Sequence, residues 1–94
     1  MNLRFYLDPS TGQPHIFGHG IDEDEVEEVL EAPGEDRRGR NGSGVAIGQT
    51  KAGRYLRVVY IPDRQSDGVF VVTAYELMGK PLLAYRKRRR RRTV

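Results

Sequence analysis

IDEDEVEEVLEAPG, residues 21 to 34, is the stretch on which the fold turns. Asp22 stands where a helix N-cap belongs, and Glu25, three residues on, is placed to return a hydrogen bond to the N–H of the cap. Ile21 ahead of the cap and Val26 behind it complete a hydrophobic staple, and Glu23, Asp24 and Glu25 put negative charge at the positive end of the helix dipole. Val26, Val29 and Leu30 then recur at helical spacing on one face, the other faces are acidic, and Ala32-Pro33-Gly34 stops the element. The spacing predicts an acidic amphipathic helix that buries one stripe.

Upstream, Leu3, Phe5 and Leu7 alternate along an expected first strand, and Asp8-Pro9-Ser10-Thr11-Gly12 reads as a turn. Downstream, Glu35 to Gly44 (EDRRGRNGSG) is polar and glycine-rich and reads as a mobile loop. Val45 and Ile47 alternate, residues 48–53 (GQTKAG) carry hairpin signals, and Arg54 to Ile61 is the next strand. Val69 to Glu76 (VFVVTAYE) is β-branched and aromatic throughout, the composition of a central strand buried on both faces. Gly79-Lys80-Pro81 opens a terminal helix in which Leu82, Leu83 and Tyr85 form the apolar stripe. The expected architecture is α+β, a small, mostly antiparallel sheet with an N-terminal acidic helix and a C-terminal basic helix on a face.

Ninety-four residues make one small domain, expected over residues 1–85, with residues 86–94 as a basic extension of the last helix. The chain has no cysteine, which excludes disulfides, thiolate metal sites and a cysteine nucleophile. No apolar run reaches the length of a membrane span or a signal peptide, so the chain reads as soluble and cytoplasmic. The net charge of +3 conceals a division: removing the seven consecutive cations Arg86 to Arg92 from the sixteen Lys and Arg leaves nine, against thirteen Asp and Glu. Nine of those acids lie between Asp22 and Asp36, so an acidic segment and a basic terminus face different partners.

His15 and His19 have the four-residue spacing of paired metal ligands on a helix, but Pro14, Gly18 and Gly20 oppose a helix there and no third ligand is fixed beside them. His19 alone, just ahead of the capped helix, is a candidate acid, base or phosphate contact, against the plainer reading of a loop histidine bonded to backbone. Residues 39–48 are glycine-dense without the Gly-Lys-Ser/Thr of a phosphate loop, and no serine triad or nucleophile elbow occurs. Asp63 and Asp67 read as ordinary turn acids. Arg54 and Arg57, three apart on one strand, face opposite sides of the sheet. Leu56, Val58 and Tyr60 make the better core face, so Arg57 belongs with Tyr55 on the open one. Tyr75 and Lys80, at the end of the last strand and after it, would add an aromatic and a cation suited to stacking a base and gripping phosphate, or else would be core and solvated respectively. Arg86, Lys87, Arg88, Arg89, Arg90, Arg91 and Arg92 attract polyanions by counterion release, and their like-charged i,i+4 pairs predict fraying in isolation.

His19-Gly20-Ile21 before the acidic helix, Ile47-Gly48-Gln49-Thr50 with Gly53-Arg54, the strand Leu56-Arg57-Val58-Val59-Tyr60, and Val71-Val72-Thr73-Ala74 ahead of a basic terminal helix together resemble the BrnT-like toxins and neighbouring small domains of the RelE/ParE superfamily. The resemblance spans residues 19–92 and implies a RelE-like fold and a metal-independent endoribonuclease toxin, acting on RNA such as mRNA and neutralised by an antitoxin protein, with no cofactor. It casts His19 as base or acid, Arg54 and Arg57 as phosphate clamps and Lys80 as a further cation; Tyr85 matches an aromatic of the last helix. Thr73-Ala74-Tyr75-Glu76 departs from the Ser-Ala-Arg-Arg-like ending of the last strand, replacing both cations. The alternative is therefore a catalytically inactive nucleic-acid- or protein-binding module of the same fold.

Overall fold

The computed structural model describes the backbone of residues 1–92 and the side chains of residues 1–91. The segment Asp22 to Ala32 folds as its capping signals require. The Asp22 carboxylate accepts from the Glu25 N–H at 2.8 Å, and Glu25 Oε1 accepts from the Asp22 N–H at 3.2 Å, opening helix α1 (Glu23–Glu31). Ile21, Val26 and Val29 are buried together with Ala46, Leu56, Val58, Val71 and Ala74. The stripe read from sequence is thus the helix half of the main core.

The other half is a five-stranded sheet formed by β1 (Leu3–Phe5), β2 (Glu35–Arg38), β3 (Gly44–Gln49), β4 (Tyr55–Pro62) and β5 (Val69–Glu76). The strand order is β1-β5-β4-β3-β2. Three pairings are antiparallel, but β1 runs parallel to β5, so the sheet is mixed. The final element is helix α2 (Gly79–Arg92). It packs Tyr85 and Leu82 against Ile47, Leu77 and Tyr55, which point away from the α1 face because β3 alternates Ala46 and Ile47 between the two sides. The helices therefore cover opposite faces of the sheet, not one face as expected.

Several local readings are also corrected. Glu35 to Arg38 is not a loop. It is an edge strand paired with β3 from Glu35 opposite Ile47 to Arg38 opposite Gly44, and its charges are used in alternation. Asp36, on the α1 face, accepts from the Tyr60 hydroxyl at 2.6 Å, while Glu35, on the α2 face, accepts from Arg37 and Arg88. Burial, with the Asp36 carboxylate beside it, pushes the Tyr60 hydroxyl up to about 12. Strand β5 is not buried on both faces, since Val72 and Tyr75 are exposed. The pairing slips between Val59 and Tyr60, from Val59 opposite Thr73 to Tyr60 opposite Val71, so Val72 is an extra residue. That bulge is why Val71 and Ala74, three apart, both reach the core.

At the other edge, β1 stops at Phe5, and Leu7 is exposed in an isolated bridge to Pro14 instead of facing the core. Asp63 is no ordinary turn acid. It is buried and receives Arg4 Nε and an Arg4 terminal nitrogen at 2.6 and 3.1 Å, tying β1 to the β4–β5 loop. Arg4 foremost, with the Gln65 N–H, holds its carboxyl below the usual range. Gly68 is required there, because a Cβ would collide with the Asn2 carbonyl.

Candidate nucleic-acid interface

Because β1 pairs only with Val69 to Val71, the second half of β5 has no strand beside it on that side. A short 3-10 helix, His15–His19, lies along it. His19 Nδ1 is 2.8 Å from the Ala74 carbonyl oxygen. A carbonyl only accepts, so Nδ1 carries a proton, and in the neutral ring the lone pair lies on Nε2. Nε2 makes no hydrogen bond to the described residues. The plainer sequence reading, a histidine bonded to backbone, describes the contact, and that bond leaves Nε2 as the acceptor nitrogen of the neutral ring.

His19 is one of four rings in a row. Tyr6 and His15 are 5.9 Å apart between centroids, His15 and His19 4.9 Å, and His19 and Tyr75 6.4 Å, each pair edge-to-face. Tyr6 and Tyr75 are exposed. His15 also approaches Asp8 at 4.0 Å, and the Ser10 hydroxyl and N–H hold the Asp8 carboxyl below its usual range. The two histidines are adjacent, as their spacing allowed, but His19 Nδ1 is taken by Ala74, and no group of three or more His, Asp or Glu among the described residues is arranged to hold a metal. Tyr6 and the stacking role of His15 left no trace in the sequence, because the eight residues 7–14 separate the two rings.

Arg54 and Arg57 face opposite sides, as their spacing required. On the α1 side, one Arg54 nitrogen donates to Glu25 at 2.9 and 3.0 Å and to the Gly20 carbonyl at 3.0 Å, and the other donates to Glu76 at 3.2 Å. Two carboxylates therefore neutralise it, and it joins the start of α1 to the ends of β4 and β5. Arg57 lies on the α2 side, directly across from Tyr75 in the β4–β5 ladder. Its Nε is buried with no hydrogen-bond partner among the described residues, and the side chain borders a cavity of about 280 Å³ shared with Arg37, Val45, Leu77, Pro81 and Arg88. The fold thus brings His19, Tyr75 and Arg57 into succession. Lys80 is exposed in the first turn of α2, and Arg54 is held apart by its acids.

The arginine run extends the last helix beyond Tyr85. Helix α2 continues to Arg92, because several of its cations have tertiary partners. Arg88 donates to buried Glu35 at 2.5 and 3.0 Å, Arg89 donates to the Gly34 carbonyl at 2.8 Å, and the Arg86 guanidinium lies 5.9 Å from the centre of the Tyr55 ring. Arg88 is the main reason the Glu35 carboxyl lies below its usual range. Lys87, Arg90 and Arg91 are exposed along the same helix. The side chain of Arg92 and residues 93–94, part of the expected basic extension, lie outside the described residues.

No helix among the described residues is long and apolar enough to cross a membrane. A family model described as a domain of unknown function (DUF4258) matches residues 15–76, from the 3-10 helix to the end of β5. The match takes in His15, His19, Arg54, Arg57 and Tyr75 and leaves out β1 and α2. No curated protein and no solved structure matches the chain.

Proposed function

The chain belongs to the DUF4258 family, and from that footing we propose that it binds RNA and cleaves it without a metal, in the manner of the RelE-like and BrnT-like toxins that its sequence resembles. The observation that carries the reading is the fixed tautomer of His19, whose Nε2 is left as a base beside the exposed ring of Tyr75. In the reaction, Nε2 takes the proton of an RNA 2′-hydroxyl. The oxygen attacks the adjacent phosphorus, the bond from phosphorus to the 5′-oxygen breaks, and solvent protonates the departing oxygen, leaving a 2′,3′-cyclic phosphate. Arg57 opposes the charge that grows on the phosphoryl oxygens, Tyr75 stacks a base, and Lys80 with the exposed cations of α2 holds the backbone. Inside a cell, such a surface calls for an antitoxin that covers its cations.

Binding without cleavage is the second reading. It is favoured by Arg54, whose pairing with Glu25 and Glu76 removes one of the two expected phosphate clamps. Incubating the full chain with single-stranded RNA in chelator-containing buffer separates the two. The cleavage reading expects cyclic-phosphate ends from the wild type, a loss of about a hundredfold or more in rate for His19→Ala, and salt-sensitive RNA binding retained by that variant. Binding with no cleavage by the wild type sinks the enzymatic reading and leaves the module. Equal cleavage by wild type and His19→Ala sinks the assignment of the base.

A further inference from the structure

A second cavity, of about 390 Å³, opens between α2 and the Pro33-Gly34 turn that follows α1. It shares no residue with the His19, Tyr75 and Arg57 succession. Tyr55 and Tyr85 form an aromatic corner, with centroids 6.0 Å apart, and Arg86, Arg89 and Arg90 border the opening. Among the described residues, no carboxylate lines it. Arg86 and Arg89 thus differ from Arg4, Arg54 and Arg88, each of which meets an acid. Arg89 is held in place by its bond to the Gly34 carbonyl, which orients one cation at the rim before any ligand arrives.

We propose that this cavity binds a phosphorylated nucleoside. Its volume falls within the range of small-ligand sites, which is about 300–1,000 Å³. Guanidinium groups match a phosphate through paired N–H donors, and Arg89 and Arg86 supply them at the mouth. Arg86 lies loosely over Tyr55, at 5.9 Å from its centre, so a planar base takes its place on the ring while the guanidinium turns to the phosphate. Gln49 also lines the cavity; its amide nitrogen donates to the Gly53 carbonyl at 3.2 Å, leaving Oε1 as an acceptor for the exocyclic amine of a base. The site does not depend on the cleavage reading, since neither the base nor the phosphate clamp of that reaction lines it. The same chemistry is offered by a free nucleotide and by the 5′-phosphorylated end of an RNA.

Titration calorimetry of the full chain with adenosine 5′-monophosphate, adenosine and inorganic phosphate tests the proposal. The monophosphate is expected to bind more tightly than either fragment, and Arg86→Gln is expected to weaken it by about tenfold. Arg64→Gln, which removes the same charge from the β4–β5 loop, is expected to stay within about twofold. Binding of the monophosphate no tighter than that of inorganic phosphate, equal loss in the two variants, or no binding at all overturns the proposal. Competition then identifies the source. Displacement of the monophosphate by 5′-phosphorylated but not by 5′-hydroxyl RNA assigns the site to an RNA end, and displacement by neither assigns it to a free nucleotide. Equal displacement by both overturns the pocket in favour of general polyanion attraction. Because His19→Ala is expected to leave monophosphate binding unchanged, failure of the cleavage reading and failure of this one give different results.

Discussion

Gly34 donates its N–H to the Ile47 carbonyl at 2.8 Å, and the Tyr85 ring fills the space where a side chain would stand. A Cβ there would collide with the Tyr85 hydroxyl and lie 3.0 Å from Cζ. Gly34→Ala is therefore expected to destabilise the protein by about 1–3 kcal/mol through overpacking. Combining it with Tyr85→Phe should recover part of that loss, because the hydroxyl is the nearer obstacle; denaturant unfolding of the two single variants and the double variant measures the coupling. Strictly additive losses would mean that the clash is relieved elsewhere. His19 teaches the same lesson in a different chemistry. The tautomer it would need as a base is set by the Ala74 carbonyl, fifty-five residues away in sequence. The residue was visible in the sequence, but its protonation pattern was not.

Among the elements, α1 is the most locally determined, since its cap, staple and stripe all lie within a few residues. Asp22→Ala removes the acceptor of the Glu25 N–H and is expected to cost about 1 kcal/mol, read as a lower midpoint at unchanged m-value. Helix α2 is determined differently. Its like charges oppose it, and Glu35 on the edge strand anchors it through Arg88. The folded pKa of Glu35 lies below its unfolded value, so the contact contributes stability above the ordinary carboxylate range and loses it as pH falls through the folded value. Unfolding of wild type and Glu35→Gln at pH 7 and near pH 3 should show a gap of about 1–2 kcal/mol at the higher pH that narrows at the lower one. A gap that stays constant between the two would show that charge is not what anchors the helix. Strand β2 was illegible for the same reason. EDRR has no strand propensity, and it becomes a strand only because β3 offers an unpaired edge and Tyr60, Arg37 and Arg88 satisfy its acids.

Across the whole molecule, the sheet stands between the acidic helix and the basic one, each packing its apolar stripe on a different face. Lys87 and Arg91 are exposed on that helix, where a docking polyanion would meet them. RNA affinity should fall linearly on a logarithmic salt scale, and Lys87→Gln and Arg91→Gln should each reduce the slope by about 0.7 if each meets one phosphate of a single strand, measured by fluorescence anisotropy at several salt concentrations. An unchanged slope in both variants would place the nucleic acid elsewhere. The sequence by itself determined α1, the separation of Arg54 from Arg57, the core face of β4 and the concentration of charge, because each follows from neighbours within one turn or one pleat. Tertiary structure alone decided the parallel β1, the edge strand β2, the bulge at Val72, the neutralisation of Arg54 by Glu25 and Glu76, and the ring row from Tyr6 to Tyr75. Each of those depends on partners distant in the chain, whose meeting is set by which sheet edges remain unpaired and which charges remain unmatched after the local elements have formed.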